Sequence, residues 1–235
     1  MPSSRQRRTS SRSRRPGRPG RANHLVFLPF LLLTFVLWVT YRALFRFDPW
    51  FDELIGKAIF FGLPVWLYVV LSDSRLIADS LDLDKLQVGL LRGLAFGGTF
   101  GFAAAAVALV TRGSSVAAAD LFDSPQFWWT FLLALMTAWW ETVFFFSWIM
   151  TSLWDKYRYW APAQYVLAAA LIFLVFHLPN VTLRFDTLQA VWGQVLLLGL
   201  FGLGQALLFV RDRNAYTLLI SHAIWGMVLL VHWPS

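Results

Sequence analysis

The chain has no cysteine and few charged residues. Without thiols, disulfide bonds and thiolate metal sites are excluded, and the redox compartment cannot be inferred. Charged residues make up only 14% of the sequence, against about 25% in typical soluble domains. In their place are 58% hydrophobic residues, among them 13 Trp and 22 Phe. This composition predicts an all-α, polytopic transmembrane helical bundle with one transmembrane domain, residues 23–235.

Positive charge is confined largely to the amino-terminal tail, residues 1–22. The tail holds eight Arg and no acidic residue, whereas the rest of the chain holds 12 basic and 13 acidic residues. Its Arg, Ser, Pro and Gly cannot form a core, so we predict a disordered tail. By the positive-inside rule, it places the amino terminus in the cytoplasm. The expected partner is the lipid bilayer and not nucleic acid, because an Arg-rich tail alone does not indicate nucleic-acid binding.

Long apolar runs follow the tail, and each is close to the ~20 residues that cross a bilayer. They predict about seven membrane spans in an integral, multi-pass protein. The predicted spans are Leu25–Thr40, Leu54–Leu71, Leu86–Val110, Phe127–Leu153, Pro162–Leu178, Leu188–Val210 and Ala215–Val231.

Three local patterns refine this scheme. The stretch Ser72–Lys85 is polar with scattered Leu and Ile, which predicts a short helix lying on the membrane. Pro64 predicts a kink in the second span. In the third span Gly89, Gly93, Gly97 and Gly101 recur every four residues. This stripe predicts that a neighbouring helix approaches closely.

One carboxylate stands in the middle of the fourth apolar run. Glu141 is the single ionisable residue of Phe127–Leu153, and a charge at such a depth costs at least ~2.5–3.5 kcal/mol on insertion scales. Such a residue needs a partner or a function. Two later spans each carry one histidine, His177 and His222. We predict that these side chains meet Glu141 inside the bundle.

Glu141, His177 and His222 suit more than one function. A carboxylate in a water-poor site can act as a general base, and imidazoles can orient water, donate to an oxyanion or bind a metal. Such a cluster fits hydrolysis of a peptide bond in a membrane segment. A proton-linked transporter using a Glu–His relay is an alternative, although the chain shows no internal repeat. Zinc is a further alternative, but we favour a site without metal or other cofactor.

Three short motifs carry a family resemblance. Glu141–Ser147, ETVFFFS, resembles the Glu-Glu-x-x-Phe-Arg-Gly motif of the CAAX-protease and bacteriocin-processing (CPBP) intramembrane proteases. Phe173–His177, FLVFH, matches their second motif, Phe-x-x-x-His. His222–Gly226, HAIWG, is similar to the third, His-x-x-x-Asn. The order and intervals of the motifs agree with the family, and the resemblance covers about residues 127–235.

The resemblance implies an intramembrane endopeptidase of the CAAX-protease type. It implies that Glu141 activates the attacking water, that His177 shares this task, and that His222 helps to stabilise the oxyanion. The implied substrate is a membrane protein or a lipidated peptide, although prenyl specificity is not assumed.

Three supporting positions depart from the family pattern. Thr142 stands where the family has a second Glu, Phe146 where it has Arg, and Gly226 where it often has Asn. Two interpretations therefore remain: a diverged active enzyme, or a non-catalytic relative that serves as a membrane scaffold or immunity protein.

Overall fold

A computed structural model of the protein describes residues 22–72, 77–112, 125–184 and 187–232. Within these ranges the chain forms seven long helices and no strand, which confirms the predicted all-α bundle. The predicted disordered tail lies outside the described residues except for its last residue, which begins the first helix. The helices are α1 (Ala22–Leu44), α2 (Pro49–Leu71), α3 (Leu86–Arg112), α4 (Pro125–Lys156), α5 (Pro162–Arg184), α6 (Leu188–Asp212) and α7 (Ala215–His232).

Five of the helices, α1, α2, α4, α5 and α6, are long and apolar enough to cross a membrane. The helices α3 and α7 complete the seven at the predicted positions. Large aliphatic side chains cover the outer faces, for example Leu32, Leu33, Leu196 and Leu200. Such faces suit contact with lipid, so the bundle is that of an integral membrane protein.

The segments on either side of α2 differ from prediction. Helix α1 continues to Leu44 and α2 begins at Pro49, so the first turn is much shorter than expected. Proline at the start of a helix costs no backbone hydrogen bond, because the first N–H groups have no partner within the helix. The predicted surface helix at Ser72–Lys85 is wrong for its described part. That part forms two 3₁₀ turns, Ala78–Ser80 and Leu83–Lys85, because Asp82 accepts a hydrogen bond from the Asp84 N–H and starts a new turn.

Two helices contain π-helical stretches, in which backbone hydrogen bonds run from i to i+5. In α2 they are Asp52–Gly56 and Ala58–Gly62, and Pro64 lies two residues after the second stretch. In α4 the stretch is Thr142–Met150, in which every residue is buried. Such stretches are uncommon and occur frequently at functional sites. The π-helical stretches could not be predicted from the sequence, because a helix that is apolar on all sides has no periodic spacing of polar and apolar residues.

An aromatic cluster packs α2, α4 and α5 together. The rings of Phe61 and Phe144 stack with centroids 4.6 Å apart, and the Phe145 and Phe173 rings meet edge to face at 5.0 Å. Phe176 contacts Phe144 at 5.3 Å. Each such pair contributes about 0.5–1.5 kcal/mol beyond area burial. The cluster therefore fixes the three helices within one turn of the polar groups described below.

The glycine stripe of α3 lies against α7, as predicted. A Cβ atom at Gly93 would lie 2.9 Å from the Thr217 carbonyl oxygen, and one at Gly97 would lie 3.2 Å from the Ser221 Cα. Only glycine allows the two backbones to approach this closely. The stripe thereby sets the position of α7, the helix that carries His222.

Candidate active site

Glu141 is the meeting point of the site. It closes the α-helical first part of α4, directly before the π-helical stretch, and its exposed fraction is 2%. Its Oε2 atom lies 3.3 Å from Nε2 of His177 on α5 and 3.4 Å from Nε2 of His222 on α7. The predicted convergence of the three side chains is confirmed. Their catalytic roles remain predictions.

A fourth member of the site, Lys57 on α2, is not among the residues predicted from the sequence. Its Nζ atom lies 2.6 Å from Glu141 Oε1 and 2.5 Å from Glu53 Oε2. Glu53 also accepts a hydrogen bond from the Thr137 hydroxyl. The available signal was a lysine inside the second apolar run, four residues after a glutamate. A lysine at that depth needs a carboxylate, as Glu141 needs a cation.

The two oxygens of Glu141 therefore have different surroundings. Oε1 is bound by the Lys57 ammonium. Oε2 is buried and accepts no hydrogen bond from the described residues, and the two imidazole nitrogens stand beside it. Oε2 is therefore the atom of this carboxylate that is available to bind a proton or a water.

His177 has a defined tautomer. Its Nδ1 lies 2.7 Å from the Phe173 carbonyl oxygen, and a carbonyl can only accept, so Nδ1 carries a proton. Nε2 then faces Glu141 Oε2 either with a lone pair or, in the imidazolium, with a second proton. A proton between His177 Nε2 and Glu141 Oε2 can bind to either atom. The pair is thus suited to proton transfer.

A hydrogen bond from α1 supports His177. The Trp38 Nε1–H donates to the Phe176 carbonyl oxygen at 3.0 Å, one residue before the histidine. Trp38 is almost fully buried. The bond joins α1 to α5 and restrains the backbone that carries His177.

His222 is held by packing. Its ring lies edge to face against Phe201 with centroids 4.7 Å apart, and Phe201 stacks on Trp225. Its Nδ1 is buried and has no hydrogen-bond partner among the described residues. The tautomer with the proton on Nε2 is therefore favoured, because it directs the N–H at Glu141 and leaves only a lone pair on the apolar side.

Two tryptophans, Trp139 and Trp140, directly precede Glu141 on α4. Trp139 and Trp140 are partly buried and pack against the core. A Cβ atom at Gly62 would lie 2.5 Å from the Trp140 ring, so this indole lies directly on the α2 backbone. Trp140 thus holds α2 and α4 at the spacing at which Lys57 reaches Glu141.

A cavity of about 410 Å³ leads from the first turn of the protein to the polar cluster. Arg42 and Arg46 line it at the turn, Asn180 lines it on α5, and Glu53 and Lys57 line it next to Glu141. Arg42 is paired with Asp52. The cavity gives small polar molecules a route to Lys57.

The residues that depart from the family motifs are accommodated without a stranded charge. Thr142 is 1% exposed, and its hydroxyl has no hydrogen-bond partner among the described residues. Phe146 is fully buried between Phe173 and Phe209. Gly226 is open on its Cβ side, where the nearest atom is the Ala134 methyl at 3.9 Å. The positions of the missing acid and base have become part of the apolar core.

In the part of the chain that the structure describes, no group of three His, Asp or Glu side chains is arranged to hold a metal ion. The cluster nevertheless combines a buried carboxylate with two imidazoles that share one of its oxygens. These are the groups needed for general acid–base chemistry on a water.

The fold and the cluster define a helical membrane protein with a candidate hydrolytic site at its centre. Residues 123–228 match the family model described as type II CAAX prenyl endopeptidase Rce1-like. The matched region contains Glu141, His177 and His222, and it confirms the resemblance to the CPBP proteases. No curated protein and no solved structure gave a significant match.

Proposed function

We propose that the protein is an intramembrane endopeptidase of the CAAX-protease type that hydrolyses a peptide bond with a water activated by Glu141. One observation supports this most: Glu141 Oε2 is the free oxygen of a buried carboxylate and lies 3.3 and 3.4 Å from two imidazole nitrogens. The match to a protease family supports the same reaction class.

In the proposed reaction each group has one role. Glu141 Oε2 takes a proton from the water as its oxygen forms a bond to the carbonyl carbon of the substrate. His177 Nε2 exchanges this proton with Oε2 and is placed to deliver it to the leaving amine. The Nε2–H of His222 donates to the oxyanion that develops on the carbonyl oxygen. The carbonyl–nitrogen bond then breaks, and the amine leaves with the proton that the water gave up.

The substrate class follows from the position of the site. Glu141 lies inside the bundle and the outer faces are apolar, so the substrate is a membrane protein or a lipid-modified peptide. No prenyl group is required by the residues described. In the proposed reaction the side chains act without a metal.

The test is cleavage by the purified protein in detergent and in lipid vesicles. Wild type is incubated with a panel of membrane-segment peptides and with lipidated carboxyl-terminal peptides, and products are identified by mass spectrometry. We expect cleavage of at least one peptide, and loss of about 10²–10⁴-fold in Glu141→Gln. Absence of cleavage across the panel, or proton flux that depends on Glu141 without proteolysis, would contradict the proposal and favour a scaffold or a transporter.

A further inference from the structure

Lys57 makes more contacts than it would need to neutralise the charge of Glu141. It is 5% exposed and contacts two carboxylates, Glu53 and Glu141. The Glu141 carboxylate touches it with one oxygen only. A cation that served only to offset charge could lie equally near both oxygens.

The contacts form a closed ladder between α2 and α4. Thr137 and Glu141 are four residues apart on α4, and Glu53 and Lys57 are four residues apart on α2. Thr137 donates to Glu53, Glu53 pairs with Lys57, and Lys57 donates to Glu141 Oε1 at 2.6 Å. Both ends of the ladder are therefore attached to the same helix. The ammonium cannot follow a rotation of the carboxylate without breaking its contact to Glu53.

We propose that Lys57 is a positioning residue that holds Glu141 by Oε1 and thereby directs Oε2 at the water, an inference that rests on the proposed function. The carboxylate has two chemically equivalent oxygens, and only one can lie beside both imidazoles. Fixing Oε1 removes the rotation that would take Oε2 away from His177 and His222. A displacement of about 1 Å in such a site can cost about 10²-fold in rate.

The apolar helix around Glu141 offers no other cation. Thr142–Met150 contains no charged residue, and the neighbouring rings are those of Phe144 and Phe145. Lys57 must reach Glu141 from another helix, across 84 positions of sequence. The π-helical stretches on both sides of Lys57 lie where the two helices meet.

The cavity makes a chemical rescue experiment feasible. Lys57 lines the cavity of about 410 Å³, so removing its side chain in Lys57→Ala opens a space next to Glu141 that small solutes can enter. Propylammonium carries the lost ammonium on a short alkyl chain. 1-Propanol has similar size without charge and is the matched control.

We expect kcat of Lys57→Ala to fall about 10–10²-fold while KM changes little, because Lys57 acts on Glu141 and not on the substrate. Propylammonium should restore kcat in a saturable manner, and 1-propanol should not. Equal rescue by 1-propanol would overturn the proposal, since it would show that Lys57 only fills space.

Lys57→Ala removes one partner of a buried ion pair together with its volume, which destabilises the fold, so Lys57→Met is the second variant. Methionine keeps most of the side-chain volume without the charge, and its fold is checked by thermal melting. A folded Lys57→Met with wild-type kcat would also overturn the proposal. If wild type cleaves and Glu141→Gln does not, failure of the Lys57 predictions refutes this inference alone. If wild type cleaves no peptide, the proposed function fails and this inference with it.

Discussion

The packing of α3 on α7 makes a sharp prediction because two glycines of the same helix have opposite surroundings. In Gly93→Ala the new Cβ would lie 2.6 Å from the Ile220 Cβ and 2.9 Å from the Thr217 carbonyl oxygen. In Gly98→Ala the new Cβ meets nothing within 4 Å. Helix propensity changes equally in both variants. Their difference therefore measures the contact with α7.

The size of that difference follows from the cost of overpacking, about 1–3 kcal/mol. The contact atoms at Gly93 are a branched carbon and a backbone oxygen, which cannot rotate away, so we expect Gly93→Ala to lie within this range. By the scaling for soluble domains of similar length, the melting temperatures of the two variants should differ by about 2–12 °C.

The assay is intrinsic fluorescence of the 13 Trp during heating in detergent, since the chain has no cysteine for a thiol dye. Gly98→Ala should melt at or above the wild-type temperature. Cleavage by Gly93→Ala should also fall, because the shift of α7 moves His222. Equal melting temperatures of the two variants would refute the described packing of α3 on α7.

Three further predictions concern other parts of the chain. Gly226→Asn should leave cleavage equal or higher in a peptide assay, because the nearest neighbour of its new Cβ is 3.9 Å away and the amide adds an oxyanion donor; a loss above about ten-fold would count against that role. Truncation to about Ala22 should leave the melting temperature in detergent unchanged, since the tail has no apolar periodicity; a large drop would show that it docks on the bundle. Treatment with chelators should not inhibit cleavage, and lasting inhibition that added zinc reverses would contradict the metal-free reaction.

Helix positions and the site histidines could be predicted from the sequence because membrane helices leave a strong local signal. The apolar runs located seven helices, and the stripe Gly89–Gly101 indicated the close approach of a neighbouring helix. Glu141 was conspicuous because no other ionisable residue lies in its run. His177 and His222 then stood out by their motif spacing.

Lys57 could not be assigned to Glu141 in the same way. It lies inside the predicted second span, four residues after Glu53, and nothing in the sequence says which distant helix its side chain meets. Glu53, which lies just before the predicted span, falls inside α2 because this helix begins at Pro49. The pairing of Lys57 with Glu141 joins residues 84 positions apart, so it depends on how α2 packs on α4 and not on the local sequence.

The most direct test of the account is a double-mutant cycle on cleavage with Glu141→Gln, His177→Ala and the two combined, in vesicles with one substrate peptide. In the proposed reaction both residues act on one proton, with the Glu141 Oε2 and His177 Nε2 atoms 3.3 Å apart. Each single variant should lose at least about 10²-fold in kcat/KM. The kcat/KM of the double variant should be no lower than that of the less active single variant. Turnover by Glu141→Gln at the wild-type rate, or losses that multiply in the double variant, would contradict the shared role.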